Sequence, residues 1–112
     1  MRVELLYADG DPHAMAARQQ LVEVLTEDAF ETTIQMVAVG SAADAEFLAL
    51  PGSPTIRIDG SDIHPEGVGP VGLYPRNYPA EDGGDPAPIP GKGLIRRAVD
   101  RARGWSHEPR RP

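Results

Sequence analysis

The sequence predicts one α/β domain whose elements run in the order β-α-β-α-β-β-α. Short apolar runs at 3–7 and 32–39, each followed by a helix-capping residue and a helical pattern, indicate strands that alternate with helices. A further sign is the Asp59-Gly60 dipeptide between two short runs, which is typical of a β-hairpin. The 112 residues suit a single domain with one modest hydrophobic core.

The first strand and the first helix have the clearest patterns. Residues 3–7, Val-Glu-Leu-Leu-Tyr, are mostly apolar and bounded by turn residues, which predicts a buried central strand. A helix is expected from about Pro12 to Asp28. Asp11 is a good N-cap, and Pro12 suits the first helical position because the N–H that it lacks would be unpaired there. The predicted buried side consists of Ala14, Ala17, Leu21, Val24, Leu25 and Ala29.

The second strand and the second helix are shorter. Residues 32–39 alternate apolar and polar side chains before becoming fully apolar, which predicts a strand. Ser41 can cap a helix that runs to about Leu50, with Asp44 at the position that a capping box uses.

A hairpin and a long loop follow. After a Pro/Gly break, the strand Thr-Ile-Arg-Ile at 55–58 leads into the Asp59-Gly60 turn and a return strand that ends near His64. Residues 65–90 then hold seven of the twelve prolines and five of the twelve glycines. A loop of that length is expected to be a functional lid or a linker.

The last helix lies within residues 91–104, and Gly104 is its predicted stop. One side of this helix carries Leu94, Ile95, Ala98, Val99 and Ala102. The domain is therefore assigned to residues 1–104, including the long loop, and residues 105–112 form a C-terminal tail in which Trp105 is expected to pack against the helix end.

Composition excludes several classes of chemistry. The chain has no cysteine, which excludes a disulfide framework, a thiolate nucleophile, a Cys-ligated zinc site and an iron–sulfur cluster. No stretch approaches the roughly 20 apolar residues that cross a bilayer. The first residues are too short an apolar run for a signal-peptide core. We expect a cytoplasmic protein with no membrane partner.

Charge is unevenly distributed along the chain. The net charge of the chain is −6. Residues 92–112 contain seven Lys or Arg and two acidic residues, so this C-terminal part carries a charge of +5. Residues 1–91 therefore carry a charge of −11. The basic last helix can pair with the acidic body, with a second copy in a homodimer, or with another protein. A solvated helix face is the simplest interpretation. Nucleic acid is not expected as a partner because the acidic body would repel phosphate.

Three stretches of the sequence together suggest a family. Gly52-Ser53-Pro54-Thr55-Ile56 runs to the Asp59-Gly60 turn, Gly10–Ala14 follows the first strand, and Val71–Tyr74 comes later. The chain resembles a group of small thioredoxin-like proteins with a G-C-P-x-C turn, a G-S-P-T-[IV] segment that runs to D-G, and a C-R-L-Y segment. The resemblance implies a minimal thioredoxin-like fold, with a four-stranded mixed sheet, helices on both faces, and a cis-proline at Ser53-Pro54 beside the start of the first helix.

The departures from that pattern remove the chemistry associated with it. The two thiol positions of the turn are Asp11 and Ala14, and Val71 stands where C-R-L-Y has its cysteine. Thiol–disulfide exchange needs an attacking thiolate, so the chain is not a thiol–disulfide oxidoreductase. The fold alone assigns no function.

Asp11 stands where a thiolate would lie. The simplest interpretation is a structural N-cap worth about 1 kcal/mol. In the functional interpretation, Asp11 and His13 are catalytic candidates within a polar cluster that faces Ser53-Pro54. An N-cap site lowers the pKa of Asp11 and makes it a weak acid or base unless a closed pocket desolvates it, whereas His13 has the better intrinsic pKa. The candidate ligand-binding residues are Asp9, Ser53, Pro54, Thr55, Tyr74 and Arg76.

No metal or cofactor is expected. Asp9, Asp11, His13 and His64 are acceptable ligand types, which leaves a mixed Asp/His site open as an alternative. The stretch from Asp9 lacks the glycine and the final glutamate of a calcium-binding EF-hand loop. Residues 67–72, Gly-Val-Gly-Pro-Val-Gly, have no lysine and fail as a phosphate loop. No Ser-His-Asp arrangement is legible.

The sequence leaves three functions open. The leading hypothesis is a cysteine-free, non-redox module that binds a small molecule or an extended peptide at the start of the first helix and the cis-proline. The alternative is a cofactor-independent acid/base enzyme, an isomerase, cyclase or hydrolase, that uses Asp11 or His13 beneath the loop at 65–90. The third is a structural subunit that docks through its basic last helix.

Overall fold

A computed structural model describes residues 1–27 and 32–104 of the chain. Within them the strands and helices are β1 Val3–Ala8, α1 Ala14–Glu27, β2 Ile34–Val39, α2 Ala42–Phe47, β3 Pro51–Ser53, β4 Thr55–Ile58, β5 Ser61–Asp62, β6 Gly72–Pro75 and α3 Lys92–Ala102. Four strands form a mixed sheet in the order β2-β1-β4-β5. β1 is parallel to β2 and antiparallel to β4, and β4 is antiparallel to β5. The predicted α/β class, the mixed sheet and the central position of the first strand are confirmed.

The alternation of side chains along β1 places a hydrophobic cluster on each face of the sheet. Val3 and Leu5 pack with the apolar sides of α1 and α3, whereas Leu6 packs on the opposite face with residues of α2 and the segment after it. The smaller cluster consists of Leu6, Val39, Ala45 and Leu50. Helices therefore cover both faces, as predicted.

α1 begins at Ala14, two residues after its predicted start, because Pro12 and His13 form a turn in which the Ala14 N–H donates to the carbonyl of Asp11 at 3.4 Å. Its buried residues are Ala14, Ala17, Leu21, Val24 and Leu25, which confirms the predicted side of the helix. Asp28 and Ala29, at the predicted helix end, lie outside the described residues.

α2 confirms its predicted cap, since Ser41 Oγ accepts the N–H of Asp44 at 3.1 Å. The helix ends at Phe47 rather than near Leu50, because Ala49 takes up a left-handed conformation with φ of 52° and turns Leu50 into the core. The Asp59-Gly60 turn is also confirmed, with φ angles of 51° and 83°.

α3 buries Leu94, Ile95, Ala98 and Val99 as predicted, but Ala102 is exposed, which corrects its assignment to the buried side. Ala102 lies instead at the rim of an open cleft between α3 and the β4–β5 hairpin. The expected contact of Trp105 lies outside the described residues.

The basic face of α3 meets the acidic side of α1. Lys92 Nζ lies 2.9 Å from Glu23 Oε1, and Arg96 Nη2 lies 2.6 Å from Glu27 Oε2. The charge pattern left three partners open for the basic last helix: the acidic body of the same chain, a second copy, or another protein. The structure shows the first of these pairings. Among residues 1–27 and 32–104, none of the helices has the length and apolar content that spanning a membrane requires.

The predicted Pro/Gly break and the loop at 65–90 contain structure that the sequence did not indicate. β3 pairs in parallel with β6 in a separate two-stranded sheet, Pro65–Gly67 form a 3-10 turn, and Tyr78 forms a β-bridge with Ala87. The prediction of one long irregular loop is therefore wrong. Strands this short and rich in Pro and Gly carry no alternation that a pattern could detect.

Candidate functional site

The peptide bond between Ser53 and Pro54 is cis, as the resemblance implied, and it lies beside the turn that leads into α1. Ser53 Oγ connects these parts of the fold. It accepts the N–H of Ala8 at 2.8 Å and donates to Asp11 Oδ2 at 2.5 Å. The predicted proximity of Asp11 to Ser53 is therefore found. We call Asp11, His13 and Ser53 the Asp11 cluster.

His13 is held by the same carboxylate. Its backbone N–H donates to Asp11 Oδ1 at 2.8 Å, and its ring Nδ1 lies 3.2 Å from that oxygen. The His13 side chain is 40% exposed, whereas that of Asp11 is only 9% exposed. With the Nδ1 proton directed at Asp11, the Nε2 atom is the ring nitrogen available to solvent or to a ligand.

Two opposing effects set the pKa of Asp11. Burial raises it, but hydrogen bonds from the Ser53 hydroxyl and from His13 together outweigh burial, so the pKa lies below its ordinary value. Asp11 is therefore an ionised carboxylate at neutral pH. Both of its oxygens already accept hydrogen bonds, which makes it a fixed acceptor and a poor proton donor. The predicted capping role is found in the bond from the His13 N–H.

Most of the predicted ligand-binding residues are buried. Ser53, Pro54, Thr55 and Arg76 have little or no accessible surface. Thr55 Oγ1 donates to the Gly52 carbonyl at 2.9 Å and accepts from Arg76 Nη1 at 3.1 Å. The Thr55 and Arg76 side chains therefore make their hydrogen bonds within the protein interior.

Asp9 and Tyr74 differ from the buried group, because both are exposed. The Tyr74 hydroxyl donates to the carbonyl of Pro70. Its ring lies against Gly52, where an added Cβ would be 3.1 Å from Tyr74 Cε2.

Arg76 belongs to a buried polar network behind the cis-proline. Its Nη1 donates to Asp62 Oδ2 at 2.7 Å, and its Nη2 donates to the carbonyl of His64 at 2.9 Å. The guanidinium also lies 4.9 Å from the ring centroid of Tyr78, whose hydroxyl donates to the Pro54 carbonyl at 2.6 Å. Burial raises the pKa of Tyr78 well above its ordinary value. Arg76 therefore stabilises the interior, and none of its described hydrogen bonds goes to Asp11.

Sequence reasoning did not assign Asp62 or Tyr78 to the site. The signal that was available is the Arg-x-Tyr spacing of residues 76 and 78 within a segment otherwise rich in Pro and Gly. A buried Arg requires a carboxylate partner, and Asp62 in the hairpin is 14 residues away in sequence. Nothing in the local sequence pairs them.

The described residues hold no group of three His, Asp or Glu side chains that could bind a metal ion. One open cleft, of about 550 Å³, lies between the β4–β5 hairpin and α3 and is lined by Asp59, Asp62 and Arg101 among others. A second, of about 430 Å³, lies along residues 78–92. Neither is lined by the Asp11 cluster.

Comparison with known proteins gives no match to a family model, to a curated protein or to a solved structure.

Proposed function

We propose that this chain is a cysteine-free, non-redox thioredoxin-like domain that binds a small molecule at the Asp11 cluster. The observation that carries the proposal is the bond of Ser53 to Asp11, which joins the start of α1 to the residue before a cis-proline. An ionised carboxylate replaces the thiolate in the positive field of the helix start. The resulting site is polar and cannot exchange disulfides.

Two further observations support the thioredoxin-like part of the proposal. The strand order β2-β1-β4-β5, with one parallel and two antiparallel pairs, agrees with the fold that the resemblance implies. The Arg-x-Tyr spacing of C-R-L-Y is met by Arg76 and Tyr78, in Pro75–Tyr78, better than by Val71–Tyr74. In that register Pro75 replaces the cysteine, and Arg76 and Tyr78 both contact the core around Pro54.

The geometry favours a small molecule over an extended peptide. A peptide that docks along β3 needs free backbone groups there, but β6 already pairs with one edge of β3 and the Gly52 carbonyl accepts the Thr55 hydroxyl. The carbonyls of Leu50 and Ser53 accept the N–H groups of Gly72 and Arg76, both at 2.9 Å.

The charges at the site define the ligand's chemistry. The Asp11 carboxylate is ionised, Asp9 is exposed nearby in sequence, and His13 Nε2 can accept a hydrogen bond. An amine or another small hydrogen-bond donor fits this surface, and the carboxylates would repel an anion.

A second candidate function is favoured by the orientation of His13. A histidine whose Nδ1 is fixed by a carboxylate presents Nε2 as a general base, and Asp11 then positions the ring without exchanging a proton itself. The enzyme hypothesis accordingly assigns proton transfer to His13 alone.

The test is a titration followed by ¹H–¹⁵N NMR, in which small amines, alcohols and carboxylates are compared. We expect amines or alcohols to shift the signals of residues 9–14 and 53, with loss of binding in His13→Ala and Asp11→Asn. Asp44→Asn, an exposed aspartate at the start of another helix, is the control and should bind normally. Shifts confined to other regions would contradict the proposal. Turnover of a bound compound that disappears in His13→Ala would favour the enzyme.

A further inference from the structure

One outer edge of the four-stranded sheet is formed by β2. β2 is the terminal strand, and among the described residues no strand pairs with its outer side. Proteins commonly protect such edges with Lys, Pro, bulges or very short strands. The six residues Ile-Gln-Met-Val-Ala-Val contain no charge and no proline, and they pair with β1 in an uninterrupted register. This edge is therefore open to another strand.

The backbone groups available at this edge can be deduced from one hydrogen bond. The Asp9 N–H donates to the carbonyl of Val39 at 3.0 Å, so Val39 faces β1. Backbone groups alternate in direction along a strand, so Gln35 and Val37 also face β1. The N–H and C=O groups of Ile34, Met36 and Ala38 consequently point outward.

The backbone groups of Ile34, Met36 and Ala38 point outward from the sheet edge, but their side chains lie on the face of the sheet that α1 covers. Ile34 and Met36 pack only partly against the larger hydrophobic cluster, and Ala38 is exposed. Beside them is a groove of about 270 Å³ between α1 and β2, lined in part by Val22, Leu25 and Ile34. A strand added at this edge would cover the half-buried side chains and extend over the groove.

We propose that the occupant is β2 of a second copy of this chain, paired antiparallel about a two-fold axis at Met36. In this register Met36 faces Met36 of the second copy, and Ile34 faces Ala38. Each facing pair exchanges two hydrogen bonds, which satisfies every outward backbone group of the three residues. A copy of the same uncharged strand brings no like charges together across the edge. The proposal is independent of the function of the Asp11 cluster.

The absence of cysteine permits a test of the register, because any introduced cysteine is the only thiol in the chain. In Met36→Cys the two Cα atoms face each other at about 5.5 Å, within the range of a disulfide. Gln35→Cys is the control. Its two copies are offset along the strands by two residues and lie roughly 8 Å apart, beyond the disulfide limit. Gln35 is the more exposed residue, so random collision would favour cross-linking of the control.

We expect the natural chain to change from monomer to dimer with concentration in sedimentation velocity. Mild oxidation should cross-link Met36→Cys and leave Gln35→Cys monomeric. Met36→Lys, which places two charges opposite each other, should weaken dimerisation at least about tenfold, whereas Gln35→Lys should not. Thermal unfolding would establish that each variant is folded. A natural chain that stays monomeric to about 1 mM, or equal cross-linking at positions 35 and 36, would overturn the proposal.

Discussion

Replacing Arg76 by methionine tests the ion pair of a buried arginine with Asp62. Arg76 is 2% exposed, and methionine retains much of its length while removing the charge. The change leaves the Asp62 carboxylate without its cationic partner and the His64 carbonyl without the Nη2 donor. Removing one member of a buried ion pair costs about 3–5 kcal/mol.

The lower end of that range applies here, because Asp62 is 12% exposed and its Oδ1 still accepts the hydrogen bond from the His64 N–H. We expect a loss of about 3 kcal/mol from a total stability of about 5–15 kcal/mol. At a urea dependence of about 2 kcal/mol per molar, the unfolding midpoint falls by about 1.5 M.

The assay is urea unfolding followed by circular dichroism. Arg97→Met is the matched control, since this arginine of α3 is exposed and should change the stability by no more than about 0.5 kcal/mol. The double variant Arg76→Met, Asp62→Leu should recover part of the loss because neither charge remains unpaired. A loss below about 1 kcal/mol in Arg76→Met would refute the reasoning. So would a double variant that costs as much as the two single changes together.

Three further predictions concern the Asp11 cluster and its surroundings. Ser53→Ala removes both hydrogen bonds of a buried hydroxyl and should lower the free energy of unfolding in urea by about 2 kcal/mol. The control Ser61→Ala, at an exposed position, should change it little. Gly52→Ala should cost about 2 kcal/mol or more, since its φ is 103° and the new Cβ would approach Arg76 to 3.0 Å. Asp11 has a lower pKa in the folded than in the unfolded chain, so its stabilisation is present above the ordinary carboxyl pKa and is lost as pH falls through the lowered value. The urea midpoint of the natural chain should therefore fall between neutral and acidic pH. In Asp11→Asn this fall should be smaller, because the contribution of the Asp11 carboxylate is absent.

The arrangement around Pro54 separates two roles that the sequence could not distinguish. On one side, Ser53 and Asp11 position an exposed imidazole. On the other, Arg76 and Tyr78 are buried, and Arg76 pairs with the half-buried Asp62. We therefore expect His13 variants to alter ligand binding and Arg76 variants to alter the free energy of unfolding.

Local patterns were enough to predict the elements that depend on near neighbours. The apolar side of α1 follows from residue spacing within one helix, and the Ser41 cap and the Asp59-Gly60 turn arise from interactions within a few residues. Each of these three features is found. The position of Asp11 beside Ser53 was also predicted, but from the family resemblance, because these residues are 42 apart in sequence.

Tertiary structure alone decided which polar residues are buried. Arg76 was predicted to bind a ligand as a residue of the loop at 65–90, and loops commonly lie on the surface. The pairing of β3 with β6 instead carries it into the core beside Asp62. A buried charge is tolerated only where a distant segment supplies its partner, and that partner is set by how the chain closes. The sequence thus determined the helices, the hairpin and the absence of thiol chemistry, whereas the contacts between distant segments determined which side chains are left to meet a ligand.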